Sequence, residues 1–239
     1  MAGGYGSKYI KGKFKWVLKL IIPPIPIQNV MSKTEYANIS FFLFSSDFKI
    51  LNVGSGDQTG LGAKLWKHSS GQVVNIDIQD GDTVDVVGDA HDLPFVDNSF
   101  DSVIMQAVLE HLHTPEVAIS EAFRVLKPGG FIYLEVPFLQ GFHADPHDYF
   151  RFTQVGLNSI LKNKGSIILT GVSSGPFSSL NWIFRDLISN LFPSAQINLI
   201  IRFIVSWLFF PLKYLDYIVK KTKASRRLAC EFYYLIQKN

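Results

Sequence analysis

Hydrophobic and polar positions divide the chain into a middle of one rhythm and two flanks of another. Between residues 48 and 176, short apolar runs alternate with stretches of helical period. The runs Lys49–Val53, Val73–Ile78, Val84–Val87, Phe100–Met105, Phe131–Val136 and Ser166–Thr170 are too short for helices, and their pattern predicts strands. Pro115–Leu126 repeats its apolar positions at helical spacing and is stopped by Pro128-Gly129-Gly130, and Thr153 stands as N-cap of a helix over Thr153–Leu161. Leu228–Ile236 predicts a seventh strand. This alternation predicts an α/β fold: a parallel sheet with helices on both faces and a ligand site at the carboxyl ends of its strands.

The flanks differ. Over Lys8–Ile22, Ile10, Phe14, Val17, Leu18 and Ile21 share one helical face and Lys8, Lys11, Lys15 and Lys19 the other. A basic amphipathic helix suits an anionic membrane surface; packing on the domain with the lysines in water is the alternative. Lys19, Pro23, Pro24 and Pro26 break the apolar run, and no small-residue cleavage site follows, so it does not read as a signal peptide. The stretch Ile197–Val219 is more apolar still, but it contains Arg202 and Pro211. A charge at mid-bilayer costs at least about 2.5 kcal/mol. Short helices lying in the membrane interface, broken at Pro193 and Pro211, are therefore expected, with Lys220, Lys221, Lys223, Arg226 and Arg227 at the headgroups. A cap on the core or a subunit interface would use the same apolar surface. The organisation expected is a basic apolar extension over 1–47, a core over 48–176, an apolar helical insertion over 177–227 and a last core strand within 228–239.

Composition sharpens this picture at four points. With 239 residues and 47% hydrophobic content, the chain can bury one substantial core. The net charge of +3 hides a partition: +6 over residues 1–33, −9 over 34–175 and +6 over 176–239. The basic ends are interleaved with bulky aliphatic residues, which points to a membrane rather than to nucleic acid. The single cysteine, Cys230, excludes an internal disulfide framework and a cysteine-based zinc cluster. Twenty phenylalanines and a mean hydropathy of +0.17 ask for an apolar partner.

Candidate chemistry gathers at three expected strand ends. After the first strand, Gly54-Ser55-Gly56 lets backbone pass close to a ligand, because neither glycine carries a Cβ. Asp77 closes the second strand, 21 residues after Gly56, where a carboxylate can accept hydrogen bonds from two ribose hydroxyls. Asp89, in Gly88-Asp89-Ala90 after the third strand, can accept from an adenine amino group. Together these describe an adenosine pocket. A dinucleotide site would want Gly-x-Gly-x-x-Gly, and Thr59 occupies the third slot; no Gly-Lys-Ser/Thr follows the first strand, which excludes a P-loop.

The segments Ile50-Leu51-Asn52-Val53-Gly54-Ser55-Gly56, Asn75-Ile76-Asp77-Ile78, Gly88-Asp89-Ala90-His91-Asp92-Leu93-Pro94-Phe95, Asn98–Ile104, Glu110-His111-Leu112 and Arg124–Gly130 occur in this order. With them the chain resembles the class I S-adenosylmethionine-dependent methyltransferases of the type 11 kind. The resemblance spans roughly residues 48–175 and implies a Rossmann-like sheet of about seven strands with S-adenosyl-L-methionine as cofactor. It implies that Gly54 and Gly56 wrap the methionine part, that Asp77 holds the ribose, that Asp89 and Ala90 hold the adenine, that Gln106 sits near cofactor and acceptor, and that Ser55 and Ile78 belong to the same cofactor site. Asn52 stands where the family often has an acid, so it offers a hydrogen-bond acceptor but no charge for the cofactor's ammonium group. The stretch His147-Asp148-Tyr149-Phe150-Arg151-Phe152-Thr153 resembles, more loosely, methyltransferases linked to bacterial surface-glycan synthesis.

Methyl transfer is a displacement whose reactivity the cofactor supplies, while the protein aligns the acceptor and excludes water. An oxygen acceptor also needs help losing its proton. His143 and His147, in the loop beyond the fifth strand, are the candidate bases; the alternative is that this loop's histidines, Asp148 and Arg151 form a structural network. Glu110-His111-Leu112-His113 hints at a metal, but no other well-spaced ligand backs it, so no metal is assigned and packing near the cofactor is expected. His68 and His91 read as loop or surface residues. The function expected is methyl transfer to an amphipathic or lipid-linked acceptor, a surface-glycan sugar being the first candidate, by a cytoplasmic, peripherally membrane-bound enzyme. A quinone or small lipid is the alternative acceptor, and a catalytically idle membrane adaptor the alternative of another class.

Overall fold

The computed structural model describes residues 26–44, 47–56, 72–143 and 147–239. Among them seven strands form one sheet: β1 (Lys49–Val53), β2 (Gln72–Asp77), β3 (Val86–Val87), β4 (Phe100–Gln106), β5 (Leu126–Pro137), β6 (Gly165–Ser174) and β7 (Glu231–Lys238), in the order β3-β2-β1-β4-β5-β7-β6. Strands β1 to β5 pair in parallel, and β7 runs antiparallel to both β5 and β6. The sheet is thus mixed rather than wholly parallel. The reason is visible in the register: Ser174, the last residue of β6, pairs with Glu231, the first of β7, and Pro137 pairs with the same Glu231. The chain leaves and re-enters the sheet at one end, so its last strand must run back. That end is also the carboxyl end of β5, which sets the insertion on the same side as the strand ends.

Alternation along the strands divides two apolar layers. Leu51, Val53, Val103 and Met105 join α2 (Pro115–Val125) and α3 (Gln154–Leu161) through Ile119, Phe123, Leu157 and Leu161. Ile50, Ile104, Tyr133 and Leu235 face α1 (Lys33–Leu43) through Ile39 and Leu43. Helix α1 falls within the expected 1–47 extension, yet it covers one face of the sheet. Ser32 and Glu35 start it with a reciprocal capping box, each side chain accepting the other's backbone N–H (3.2 and 2.6 Å). The Lys8–Ile22 segment lies outside the described residues.

Strand β5 begins at Leu126, directly after α2, instead of at Phe131. Phe100 pairs with Leu126 and Ser102 with Phe131, so Pro128-Gly129-Gly130 forms an irregularity within the strand rather than a gap before it. Thr153 caps α3 as its pattern predicts, its hydroxyl accepting from Gly156 N–H.

The insertion comprises α4 (Pro176–Ser189), α5 (Ala195–Phe209), a 3₁₀ stretch (Phe210–Leu215), α6 (Asp216–Val219) and α7 (Lys223–Arg227). Pro193 falls in the break between α4 and α5, as expected. At Pro211 the α-helix stops, as expected, with Phe209 its last residue, but the chain does not turn away: it coils on as the 3₁₀ stretch that begins at Phe210. Ala195–Val219 together make 25 residues of mean hydropathy 1.6, long and apolar enough by length and composition to cross a membrane. Helix α4 is patterned inside out. Its buried residues include Ser178, Ser179, Asn181, Arg185 and Ser189, while Leu180, Ile183, Phe184 and Leu187 are exposed. On α5, Leu199, Ile200, Ile204 and Leu208 are exposed as well.

Candidate functional site

The strand order reverses between β1 and β4, and the loops leaving β1, β2 and β3 meet beside that point. Gly54 and Gly56 both adopt left-handed backbone, with φ of +67° and +46°. A Cβ on Gly54 would come within 2.5 Å of Val108 Cγ2, so the residue must be small as well as permissive. Gly54 N–H donates to the Ile76 carbonyl at 2.9 Å, pinning the turn to β2. Asp77 is held from two sides: Gly56 N–H donates to one carboxylate oxygen at 2.9 Å and Gln79 N–H to the other at 3.0 Å. Gly88 N–H donates to the Asp77 carbonyl, and a Cβ there would meet Ile76 Cδ1 at 2.9 Å. Asp89 accepts from His91 N–H at 2.8 Å, which, with the His91 ring 2.7 Å away, holds its carboxyl below the usual carboxylate range.

Past β4, Ala107 takes φ +52°, left-handed backbone that an alanine adopts only under constraint. Its N–H donates to the Glu135 carbonyl at 2.9 Å. The turn it makes leads into a 3₁₀ segment, Leu109–His111, and presents Val108, His111 and His113 to the same hollow. The loop beyond β5 returns through Tyr149 and Phe150, whose N–H groups both donate to the Glu110 carbonyl (2.7 and 3.2 Å). The result is a cavity of about 500 Å³, within the roughly 300–1,000 Å³ typical of small-molecule sites.

Of the residues singled out by sequence, Gly54, Gly56, Asp77, Ile78, Asp89, Ala90 and His147 line this cavity. Asn52, Ser55, Gln106 and His143 stand behind or beside the lining. Asn52 is buried and its amide donates to Asn75, its register partner on β2, at 3.0 Å. Ser55 is buried, its hydroxyl without a hydrogen-bond partner among the described residues. The Gln106 amide turns to Glu135, at 2.7 Å. His91 lies in a loop, as expected, and also lines the cavity, its ring 4.4 Å from that of His113. His68 lies outside the described residues. Sequence reasoning passed over Ala107, Val108 and Tyr149; a positive φ at an alanine leaves no trace in composition or spacing.

Beside the cavity lies a polar network. Arg151 donates to the carbonyls of Gln140 (2.9 Å) and Gly141 (2.8 Å) and pairs with Asp148, while His143 N–H donates to Asp148 at 2.7 Å. The Glu110 carboxylate, 3.7 Å from His143 Nε2, pushes that imidazole's pKa up. Nearby, Glu135 is buried and Glu231 half-buried on the neighbouring strand, and desolvation pushes both carboxyls up.

Residues 51–134 match the family model described as a methyltransferase domain. The chain is 35% identical over 92 residues to a protein of Renibacterium salmoninarum named demethylmenaquinone methyltransferase, covering 34% of this chain and 38% of that relative's length. Among solved structures it resembles the [4+2]-cyclase SpnF, with TM-score 0.54 and 19% identity over 85% of this chain and 79% of that one. It also resembles phosphoethanolamine N-methyltransferase 2 of Haemonchus contortus, solved with phosphomonomethylethanolamine and S-adenosylhomocysteine. That match has TM-score 0.53 and 18% identity over 88% of this chain and 53% of that one. At such identities the structures speak for the fold alone.

Proposed function

From a chain whose residues 51–134 match a methyltransferase-domain model, we propose a class I S-adenosylmethionine-dependent enzyme that methylates a quinone-type or other small lipid acceptor at a membrane surface. One observation carries the cofactor half of this reading. The Asp77 carboxylate, fixed by two backbone N–H groups, opens on a cavity where three strand ends converge. Each oxygen retains lone-pair capacity for a ribose hydroxyl. Gly54 and Gly56 bring bare backbone to the methionine part, and Asp89 with Ala90 offers an acceptor and a backbone edge to the adenine. The exposed Ile78 gives an apolar surface beside them. Asn52, Ser55 and Gln106 act from behind, holding the loop and the end of β4 in place.

When bound, the cofactor supplies an electrophilic methyl group on sulfonium. The protein's part is to hold the acceptor in line and dry. Of the two candidate histidines, His147 lines the cavity and is the one suited to take a proton from an acceptor hydroxyl. Tyr149, whose ring is 5.5 Å from that of His147, closes the same wall.

The acceptor class has two supports. The relative cited above is named for a quinone precursor, not for a glycan. The exposed apolar residues of α4 and α5 project from an insertion that leaves and re-enters at the strand ends where the cavity lies. An inside-out helix is stable only with an apolar neighbour on its outer face, and exposed Lys221, Lys223, Arg226 and Arg227 follow it as headgroup contacts. This makes the protein a peripheral one on the cytoplasmic membrane face.

The test is transfer of labelled methyl from S-adenosylmethionine to a demethylated naphthoquinol in vesicles, beside a glycolipid extract. Label is expected in the quinol. Label in the glycolipid alone would return the acceptor to a surface-glycan sugar, and no S-adenosylhomocysteine above background would leave an idle adaptor. A separate expectation concerns the membrane. The full-length chain should float with anionic vesicles, less so in high salt, since each nearby Lys or Arg contributes about 1 kcal/mol. Ile200→Asp with Leu208→Asp should cut recovery severalfold; a chain that stays at the bottom of the gradient removes the interfacial reading.

A further inference from the structure

Glu110, His111 and His143 come from two separate segments, the 3₁₀ turn after β4 and the loop after β5. Their carboxylate and imidazole ligand atoms all lie within 4.8 Å of one another. Glu110 Oε1 is 3.7 Å from His143 Nε2 and 3.9 Å from His111 Nε2. These separations are too long for hydrogen bonds. Atoms bound about 2.0–2.2 Å from one ion stand roughly 3–3.5 Å apart, so an ion would draw these groups together by about half an ångström.

Two further observations point to a ligand there. Glu110 is fully buried, and neither of its carboxylate oxygens has a hydrogen-bond partner among the described residues. A carboxylate so placed asks for a compensating positive charge, and the two that can supply it here are the adjacent His143 imidazole in its charged form and a bound cation. The imidazoles are also oriented for one. His111 Nδ1 meets the carbonyl of His147, and His143 Nδ1 meets the carbonyl of Gly141 at 3.1 Å. A carbonyl only accepts, so His111 Nδ1 carries the hydrogen and its Nε2 is left to face Glu110; at His143 the Arg151 guanidinium also approaches Nδ1, at 3.4 Å, and its Nε2 likewise points to Glu110. Backbone acceptors that fix the tautomer in this way are what ligating histidines use.

We propose that Glu110, His111 and His143 form a three-ligand site for a divalent transition-metal ion of the zinc type, with its open positions toward the cavity that His111 lines. Two imidazoles and one carboxylate are a donor set for such ions. Ion binding displaces any proton the imidazoles share with Glu110. An oxygen ligand at an open position has its pKa lowered, which suits an acceptor hydroxyl. The site itself does not depend on which acceptor is methylated, nor on cofactor binding.

The test uses the untagged full-length protein, stripped with chelator and dialysed against Zn²⁺ without cofactor. Elemental mass spectrometry should give about one zinc per chain, and Co²⁺ in its place should give visible d–d absorption. His143→Ala and His111→Ala should each weaken zinc binding by more than the roughly hundredfold that loss of a ligand's supporting hydrogen bond costs, whereas Asp77→Ala should leave it unchanged. Circular dichroism checks that each variant is folded, and His143→Gln replaces any that is not. Substoichiometric zinc in the parent protein overturns the site, as does zinc retained by both histidine variants. Because no cofactor is present, failure here is distinct from failure of the methyl-transfer reading.

Discussion

Asp77→Ala should lower affinity for S-adenosylmethionine by about a hundredfold, measured by isothermal titration, while the far-ultraviolet spectrum stays that of the parent. A hydrogen bond to a charged group is worth about 1.5–3 kcal/mol. Two ribose hydroxyls on one carboxylate therefore amount to about 3 kcal/mol at the lower end of that range, or two decades. The loss has a second source. The same carboxylate tethers Gly56 N–H and Gln79 N–H, so its removal also frees the tips of two loops that shape the cavity. Both amides border the open hollow and can turn to water, which is why the fold should survive. Asp77→Asn keeps one carbonyl acceptor and should lose about tenfold. Unchanged binding in both variants would remove the ribose assignment and with it the strongest support for the cofactor site.

The parts of this site legible in the sequence are those written in local chemistry. Glycines that need left-handed backbone, an acid closing a strand and a second acid in a turn each carry their own signal. That is why Gly54, Gly56, Asp77 and Asp89 emerge from residue type and their places after expected strands, and then meet at one cavity. Strand positions are legible for the same reason, since a run of alternating or continuous apolar residues is a local pattern; β1 matches its predicted bounds residue for residue.

Direction and proximity are not local. Nothing in Glu231–Lys238 says that it runs against its neighbours; that follows from where the insertion returns the chain. Glu110 and His143 are brought together by a loop whose course depends on Arg151 gripping two carbonyls, so neither residue announces the other. Gln106 is well placed in the sequence, at the end of β4, yet the buried Glu135 across the strand pair claims its amide. A short-range pattern gives a residue's neighbourhood along the chain, while a buried charge decides which side chain turns to meet it.

The same distinction governs how the insertion is fastened to the core, and it sets the largest expected loss of stability. Helix α4 opens with Gly175-Pro176, and Gly175 has no side chain to cap it. The cap comes from far along the chain. Asp216, fully buried, accepts from Phe177 N–H at 2.7 Å, Ser178 N–H at 2.9 Å and the Ser178 hydroxyl at 2.7 Å. It thereby answers the free N–H groups at the helix start and joins α6 to α4. Gly175 is small for the same reason: a Cβ there would lie 2.5 Å from the Asp216 carboxylate. Asp216→Ala strands three donors at once. At about 1 kcal/mol for each, the chain should lose about 3 kcal/mol, a melting temperature roughly 6–12 °C lower by calorimetry at this size. Asp216→Asn, which keeps one acceptor oxygen, should lose less than half of that, and Gly175→Ala should fall between them because its methyl group displaces the carboxylate without removing it. If Asp216→Ala melts within a degree of the parent, α4 is held by its packing alone, and the inside-out helix needs no anchor from the segment that follows it.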